Sequence, residues 1–467
     1  MFYRIFFTRT GVHFARKCSS AKRRLPVSKN ILLEAHALTL KQGTGIATYA
    51  RNLAHTASGL GHDVELLIGI DRAINRRDPL LSEVALSDVV DPKAIDPLQW
   101  AGRAVDWTIG VPGGAKAQRL PAPRIVLDPS SGTAAERRHP TQGAVRLWER
   151  SYLHFNRFGR RMAVVPEGRH DLFHATRPTP AFVKNSANVY TIHDIVPLRL
   201  PYSTLDNKKY FYNMTKHILS KADHIVAVSE FTRRDVLEFF DVPEGRITNT
   251  WQSVSLDPAA LSISDDDAAR DIGNRYGLDF KEYFLFLGAV EPKKNISRMV
   301  EAFAASGTTR PLVLVGGLGW QYERDLEVIE DERLMSWRFD GTHIKPERRV
   351  QRLPYVPRAS LLSLVRGARA VLFPSLYEGF GLPVLEAMLL GTPTITSNTS
   401  SLPEVAGDAA MLVNPYKTED IRDAIKAIDA DADLRAELSS RGRKRAEFFS
   451  PERYAERMKA VYDRVLG

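Results

Sequence analysis

Short apolar runs that alternate with helical patterns are the feature of this sequence that most constrains its fold. In the second half of the chain these runs occupy residues 283–287, 312–315, 351–356 and 370–373, with helical patterns between them. Short strands that alternate with helices are typical of a parallel sheet covered by helices on both faces. The second half is therefore predicted to be a doubly wound α/β domain.

The first half opens with a related unit. A strand pattern at 31–35 leads into a turn that contains Gly43 and Gly45, a helical pattern follows over 47–58, and 63–68 is a second strand pattern. A strand, a glycine turn, a helix and a strand in this order are the opening of a Rossmann-like unit. The whole chain is therefore predicted to contain two Rossmann-like domains.

The domain bounds depend on two irregular stretches. Residues 71–165 are rich in proline, glycine and charge, and are predicted to form long loops and helices added to the first domain. Residues 261–275 are polar without an apolar period, which indicates a linker. The predicted units are a basic extension at 1–29, the first domain at 30–255, the linker at 256–279, the second domain at 280–450, and a C-terminal helix at 451–467 that packs back on the first domain.

Composition excludes several classes of protein. Cys18 is the only cysteine, so an intramolecular disulfide and a cysteine-based zinc site are excluded, and a reducing, cytoplasmic compartment is expected. No apolar run is long enough to span a bilayer. The residues Asp265, Asp266 and Asp267 are interpreted as a solvated run or a helix cap, and no metal is expected.

The formal net charge is +10, and residues 1–29 carry eight lysines and arginines and no acid. Such a segment fits contact with an anionic membrane, a transit peptide or a plain extension. The other basic residues are scattered without an interleaved aromatic motif, so nucleic-acid binding is not expected. An excess of positive charge also suits an enzyme of phosphate-bearing substrates.

The loop after the strand pattern at 370–373 carries the clearest chemical signal. It contains Gly379 and Gly381, and a helix is predicted to begin at Leu382 with Pro383 in its first turn. Free N–H groups at such a helix start form a diphosphate site. Helical spacing puts Glu386 on the apolar face of this helix, where its carboxylate needs either ligand hydroxyls or an arginine as a partner.

These residues resemble a known family. Glu378 and Glu386, separated by seven residues around Gly-Phe-Gly-Leu-Pro, resemble the paired-glutamate motif of family 4 retaining glycosyltransferases. The segment 288–295 resembles the family's loop after the first strand of the donor domain. Further matches in the family's order are the segments 191–194, 228–233 and 401–407.

The resemblance implies a GT-B fold, in which two doubly wound Rossmann-like domains face each other across a cleft. The first domain would bind the acceptor and the second the nucleotide-sugar donor. His193, Glu378 and Lys294 would be catalytic. The donor site would comprise Gly43, Gly45, Lys293, Lys294, Val356, Glu378, Gly379, Phe380, Gly381, Leu382 and Glu386.

The family also implies roles for single residues. Lys294 would hold the diphosphate, Glu378 the hydroxyls of the transferred sugar, and Glu386 the ribose. His193 would project into the cleft near the reacting carbon.

Backbone groups complete the implied donor site. The amides of Gly381 and Leu382 would take phosphate oxygens, and the backbone of Val356 would meet the base. Gly43 and Gly45 would let the first loop approach the substrates closely.

The chain departs from the family pattern at three places. Ala289 stands where many members have arginine, and Lys293 or an arginine elsewhere is expected to replace that charge. Pro354 replaces a common glycine, and residues 251–254 are Trp-Gln-Ser-Val in place of Pro-Asn-Gly-Val. These changes bear on the details of the donor and leave the fold as implied.

The function implied is a metal-independent, retaining hexosyltransferase without a cofactor. The preferred donor is GDP-mannose, and the acceptor is a glycan or a lipid-linked glycan of bacterial surface polysaccharide, such as lipopolysaccharide, at the cytoplasmic face of the membrane. UDP- or dTDP-sugars are alternative donors. An epimerase, a phosphorylase and a non-catalytic nucleotide- or glycan-binding protein are alternative functions, and the intact His193, Lys294, Glu378 and Glu386 disfavour the last of these.

Overall fold

The computed structural model describes residues 28–39, 45–70, 113–120, 139–256, 261–340 and 343–467. They form two α/β halves, each built on its own sheet. Gly43 and almost all of the predicted basic extension lie outside the described residues, as does most of the stretch from 71 to 138.

The sheet of the first half has ten strands. In spatial order they are β10 (Ile247–Asn249), β9 (His224–Ala227), β8 (Ala187–Ile192), β6 (Leu172–Ala175), β1 (Asn30–Glu34), β2 (Asp63–Ile70), β4 (Thr141–Val145), β3 (Ala115–Arg119), β5 (Met162–Val165) and β7 (Ala181–Val183). The run from β10 to β4 is parallel, and the antiparallel pairing of β3 with β4 reverses the direction of the last three strands.

The helices of the first half are α1 (Gly45–Gly59), α2 (Leu147–Phe158), α3 (Val196–Arg199), α4 (Lys208–Lys221) and α5 (Glu230–Phe239). Side chains before two of them accept hydrogen bonds from first-turn amides: Asn207 caps α4 and Ser229 caps α5. Gly159, with a φ of 64°, ends α2 in the left-handed conformation that favours glycine.

The prediction of loops and helices alone for 71–165 is wrong, because β3, β4 and β5 lie there. The sequences of β3 and β4, Ala-Lys-Ala-Gln-Arg and Thr-Gln-Gly-Ala-Val, have little apolar content of their own. Their stability comes from pairing with neighbouring strands, which is a tertiary effect that local propensity does not report. The amphipathic stretch before residue 158 does form a helix, α2.

The sheet of the second half is parallel throughout and has six strands. Their order is β15 (Val350–Leu353), β12 (Leu312–Val315), β11 (Phe284–Leu287), β16 (Ala370–Phe373), β17 (Thr394–Ser397) and β18 (Met411–Val413). A separate hairpin joins β13 (Met335–Asp340) to β14 (His343–Arg348). The prediction of a doubly wound α/β domain is confirmed, and β15 ends before Pro354, which has no N–H to extend the ladder.

The helices of the second half are α6 (Asp265–Tyr276), α7 (Ile296–Ala305), α8 (Glu323–Ile329), α9 (Arg358–Gly367), α10 (Leu382–Leu389), α11 (Leu402–Ala406), α12 (Thr418–Ala430), α13 (Ala432–Ala446) and α14 (Pro451–Leu466). The stretch 261–275, predicted to lack a helical period, forms most of α6. Ser264 caps this helix, acidic residues occupy its first turn, and only Ala268 and Ile272 are buried. Capping therefore outweighs the weak apolar period.

The last helix, α14, crosses to the first half of the chain and packs beside α1. The hydroxyl of Tyr462 on α14 lies 2.9 Å from Nδ1 of His174, and Nε2 of His174 lies 2.9 Å from Oγ1 of Thr191. Thr191 in turn lies 2.8 Å from the hydroxyl of Tyr49 on α1. A buried series of polar side chains thus connects α14, late in the sequence, to α1, early in the sequence. Within the described residues, every helix is too short or too polar to cross a membrane.

The strand order reverses between β1 and β6 in the first sheet and between β11 and β16 in the second. In doubly wound sheets, ligands bind beyond the carboxyl ends of the strands at such a reversal. The loops that follow β6, β8, β11 and β16 are therefore the place to look for a site.

Candidate functional site

Lys294 and Glu378 form an ion pair at the strand reversal of the second sheet. Lys294 lies in the loop after β11 and Glu378 in the loop after β16, and Nζ of Lys294 is 2.7 Å from Oε1 of Glu378. The ammonium group also lies 4.8 Å from the centre of the Phe373 ring. Burial alone would raise the pKa of Glu378, but Lys294 and Lys293 hold it below its ordinary value, so the carboxylate is charged.

Two serines fix the loop that carries Glu378. Ser400 Oγ accepts the amide hydrogen of Glu378, and Ser401 Oγ lies 2.9 Å from the carbonyl oxygens of Glu378 and Phe380. Gly381 precedes α10 with a φ of 110°, in the region that favours glycine. The helix begins at Leu382 as predicted. Pro383 has no N–H and the amide of Val384 donates to the carbonyl oxygen of Gly381, so Leu382 carries the helix amide that could meet an anion.

Lys293 lies among three carboxylates. Its Nζ is 3.7 Å from Glu291, 4.0 Å from Glu378 and 4.0 Å from Asp194, which belongs to the first half of the chain. Burial lowers the pKa of Lys293, but the carboxylates more than offset this and raise it above the ordinary value. Lys293 was expected to replace the charge missing at Ala289; in this structure it bridges the two halves through carboxylates.

Glu386 lies on the buried face of α10, as predicted, with 8% of its surface exposed. Its Oε1 accepts a hydrogen bond of 3.0 Å from Nη2 of Arg358 at the start of α9. The side chain of Arg358 is about half exposed, so this partner is accessible from solvent. The arginine partner of Glu386 is thus present, and its second carboxylate oxygen is left for ligand hydroxyls, so the structure agrees with both predicted kinds of partner.

His193 follows β8, and its ring is held within the first half. Its Nε2 donates to the carbonyl oxygen of Thr176, after β6, at 2.8 Å. Its Nδ1 lies 3.4 Å from Nε2 of Gln252. Burial lowers the pKa of His193, with a smaller opposing effect of the Thr176 carbonyl and Asp194. The imidazole is therefore neutral.

The backbone of His193 meets the second half directly. A Cβ placed on Gly379 would lie 1.8 Å from the carbonyl oxygen of His193, so only glycine fits there. The hydroxyl of Thr232 on α5 lies 3.1 Å from the same carbonyl and 3.2 Å from that of Gly379. The loops after β8 and β16 thus face each other across the boundary, with the backbone of His193 against that of Gly379.

Glu404 on α11 connects the halves at a second point. Its carboxylate accepts the amide hydrogens of Glu230 and Phe231, at 2.7 and 3.1 Å, and the indole N–H of Trp251. These amides form the first turn of α5, where a negative charge is favourable. The sequence motif around Glu404 is therefore explained by contact between the halves.

Of the remaining predicted donor residues, the structure describes Gly45, Val356 and Phe380, whereas Gly43 lies outside the described residues. A Cβ on Gly45 would lie 3.4 Å from Cδ1 of Leu382, so the start of α1 approaches the start of α10. The side chain of Phe380 is buried against Phe449, which leaves only its backbone for a ligand. Val356 is buried in the core after β15, and its contact with a base stays a prediction.

Sequence reasoning did not identify three residues of this site, which are Glu291, Arg358 and Gln252. It also did not identify the role of Glu404. Glu291 adjoins Lys293 in the chain, which was a usable signal, and burial raises the pKa of its carboxyl group. Gln252 was noted only as a departure from the family pattern. Arg358 carries no local signal, because its pairing with Glu386 depends on how α9 and α10 pack.

Comparison with known proteins agrees with this geometry. Residues 274–445 match the model of glycosyl transferases group 1, and residues 117–249 match that of Glycosyltransferase Family 4. The chain is 32% identical over 269 residues to O-antigen chain mannosyltransferase B of Escherichia coli. The aligned residues cover 56% of this chain and 67% of the relative. It is 30% identical to the serotype-specific mannosyltransferase WbdA of the same species, of whose length it spans 31%.

Among solved structures, sucrose-phosphate synthase from Thermosynechococcus elongatus superposes with a TM-score of 0.62 at 17% identity, covering 93% of this chain and 98% of that one. This likeness concerns the fold alone, which is GT-B. Together with the sequence matches and the paired glutamates at the strand reversal, it assigns the chain to the glycosyl transferases of group 1, family 4.

Proposed function

We propose that this glycosyltransferase moves mannose from GDP-mannose, with retention, to a glycan or lipid-linked glycan in surface polysaccharide synthesis. The observation that carries the proposal is the pairing of Lys294 with Glu378 beside the start of α10. The mannosyl specificity is supported by relatives named as O-antigen mannosyltransferases.

In the proposed reaction, the bond between the anomeric carbon and the donor phosphate breaks through an oxocarbenium-like state. Negative charge then builds up on the leaving diphosphate. Lys294 and the free amides at Gly381 and Leu382 stabilise that charge, because preorganised donors aimed at developing charge lower the barrier. The proton of the acceptor hydroxyl passes to the departing phosphate on the same face of the sugar.

The carboxylates have separate roles in this scheme. Glu378 is charged and close to Lys294, so it binds sugar hydroxyls while keeping the ammonium group in place. Glu386 lies one helical turn further into the site and binds the ribose hydroxyls through the oxygen that does not face Arg358. The arrangement supports hydrogen bonding at both ends of the donor.

A donor panel tests the proposal. The purified protein is heated with GDP-mannose, UDP-glucose or dTDP-glucose, and a ligand at 100 times its dissociation constant adds about 2.7 kcal/mol of stability. We expect GDP-mannose to give the largest shift, and Glu386→Ala to reduce it. Glu437→Ala, at an exposed ion pair on α13, is the matched control and should behave as the wild type.

The outcomes of the panel separate the parts of the proposal. A larger shift and transfer with a uridine or thymidine sugar would overturn the choice of donor. No shift and no transfer with any donor would overturn the function. The configuration of the product's anomeric carbon, read by NMR, tests retention.

The acceptor and its location are part of the proposal. Eight basic residues without an acid at 1–29 suit the surface of an anionic membrane, where a lipid-linked acceptor would be found. We expect the full chain to float with vesicles that contain anionic lipid and the variant lacking residues 2–29 to float less. Equal flotation of both, or none of either, would contradict membrane contact by this segment.

A further inference from the structure

Gln252 follows β10 and is 4% exposed. It lies in the segment 251–254, where the sequence departs from the family pattern. Its amide nitrogen is 3.4 Å from Nδ1 of His193, which places a buried amide against the ring of the predicted catalytic histidine. The direction of this hydrogen bond can be derived from the other side of the ring.

The carbonyl oxygen of Thr176 decides which ring nitrogen of His193 carries the hydrogen. A carbonyl only accepts, and it lies 2.8 Å from Nε2, so Nε2 holds the hydrogen. In the neutral ring Nδ1 then has a bare lone pair. A lone pair needs a donor, and the amide N–H of Gln252 is that donor. The ring is thus fixed at both nitrogens.

This orientation leaves the amide oxygen of Gln252 facing away from the ring. The oxygen is buried and has no partner among the described residues. A buried acceptor without a donor costs about 1–3 kcal/mol. The hydroxyl of Ser253, the next residue, is also buried and has no partner within the part of the chain that the structure describes. Sugar hydroxyls are donors and acceptors of the kind that these two groups lack.

The remaining surroundings of the His193 ring are these. The ring of Tyr49 meets it edge-on, with centroids 4.9 Å apart, and the Tyr49 hydroxyl is occupied by Thr191. The charged groups that act on the ring are Asp194, beside Lys293, and Arg177, beside Glu34. None of these supplies a donor to Nδ1, so within the part of the chain that the structure describes, Gln252 defines that side.

We propose that Gln252 is a positioning residue, which keeps His193 neutral with its hydrogen on Nε2 and offers its own amide oxygen to a hydroxyl of the sugar substrate. The proposal rests on the proposed glycosyl transfer. It implies that His193 takes no proton from the acceptor, since both ring nitrogens are engaged.

The test reads the imidazole directly. In protein labelled with ¹⁵N-histidine, the His193 signals are assigned by their loss in His193→Gln. We expect the wild type to show the neutral Nε2–H form at pH 7. A charged ring or an Nδ1–H form at pH 7 would overturn the proposal.

Gln252→Glu and Gln252→Leu test the residue itself. A carboxylate at this position favours the charged imidazole by about 1–3 pKa units, so His193 should titrate in Gln252→Glu and kcat should fall about tenfold or more. Gln252→Leu removes the donor to Nδ1, so the Nδ1 resonance should shift while the hydrogen stays on Nε2, and kcat should fall more than KM rises. Gln118→Glu on β3 adds the same charge at another partly buried position and should leave both readouts unchanged.

Unchanged spectra and kcat in both Gln252 variants would overturn the proposal. If Gln252→Glu fails to fold, as judged by circular dichroism, Gln252→Leu and the wild-type spectra still decide. The spectra need no donor, so a protein that transfers no sugar but shows the expected tautomer and its loss would contradict the proposed function while leaving the positioning role intact.

Discussion

At the scale of single residues, the site is a set of charges that compensate one another in the absence of a donor. Lys294 pairs with Glu378, and Lys293 lies among Glu378, Glu291 and Asp194. Buried ion pairs are costly to break because the remaining charge stays desolvated. In the proposed reaction the donor diphosphate therefore shares Lys294 with Glu378.

Lys294→Met should reveal this dependence. The pKa of Glu378 is lowered in the folded state, so it contributes stability above the ordinary glutamate pKa that is lost as the pH falls through its lowered value. The variant should lose about 2–3 kcal/mol of unfolding free energy at pH 7, and less at pH 4. Urea unfolding at the two pH values measures this, and calorimetry should show donor affinity reduced at least about tenfold.

The control for that variant is Lys459→Met, which removes an exposed ion pair on α14. Exposed pairs contribute about 0–1 kcal/mol, so this variant should remain close to the wild type in stability and donor affinity. Equal stability losses at pH 7 and pH 4 in Lys294→Met would contradict the assigned role of Glu378.

The sequence predicted where the site residues lie better than what they touch. Glu378, Gly381 and Lys294 follow strands, and the carboxyl ends of parallel strands at a reversal meet in space. Partners such as Arg358 for Glu386 depend on the packing of two helices that are distant in sequence. Gln252 has no local pattern at all, because its role comes from the tautomer of His193.

At the scale of elements, the start of one helix, α5, makes several of the contacts between the halves. The first two amides of α5 bind the carboxylate of Glu404, while Ser229 caps a later amide of the same turn. Tyr377, in the loop after β16, adds a hydrogen bond to Asp235 on α5. The orientation of the loop that carries Glu378 is thereby coupled to α5.

Glu404→Gln should weaken this contact. Loss of the charge at the start of α5 is expected to cost about 1–2 kcal/mol, because the carboxylate binds two amides and interacts favourably with the helix dipole. Hydrogen exchange followed by mass spectrometry should show faster exchange in the peptide that contains residues 230–232. Glu419→Gln changes an exposed acid in the first turn of α12 and should leave that peptide unaffected; unaltered exchange in Glu404→Gln would contradict the contact.

Helices and strands with an apolar pattern of their own were predicted from the sequence, whereas those stabilised by neighbouring strands or by capping were not. Three strands of the second half, β11, β12 and β16, were predicted because both of their faces are buried and their sequences are continuously apolar, as in β12, Leu-Val-Leu-Val. The strands β17 and β18 were not predicted. The polar strands β3 and β4 were missed because their neighbours stabilise them. Helix α6 was missed because its cap and first-turn acids, and not an apolar face, define it.

At the scale of the whole molecule, α14 closes a buried polar chain that runs through the first half. His174 lies between Tyr462 of α14 and Thr191 of β8 and is completely buried. Burial lowers its pKa to about 3, so it stays neutral in the folded state over the physiological range. The docking of the last helix is therefore linked to the protonation of the unfolded chain.

This linkage predicts a loss of stability in acid. A histidine whose pKa is lowered on folding takes up a proton in the unfolded state below about pH 6.5, so its contribution is complete above that pH and is lost progressively down to the folded value of about 3. Each such histidine removes up to about 1.4 kcal/mol per pH unit. Urea unfolding from pH 7 to pH 5 should show the unfolding free energy falling with this slope. In His174→Gln the slope should be smaller by about the contribution of one histidine.

The matched control is His55→Gln, because His55 is exposed on α1 and its substitution should not alter the slope. A His174→Gln variant that kept the full pH dependence would show that the acid sensitivity arises elsewhere.

The return of α14 to the first half also affects how the protein is made. Tyr454 and Tyr462 are synthesised long after Tyr49 and His174, which they cover. Part of the interior of the first half therefore stays uncovered until α14 has been synthesised. A chain that stops before residue 451 leaves this surface of the first half exposed. Chaperones and proteases can therefore recognise the truncated product.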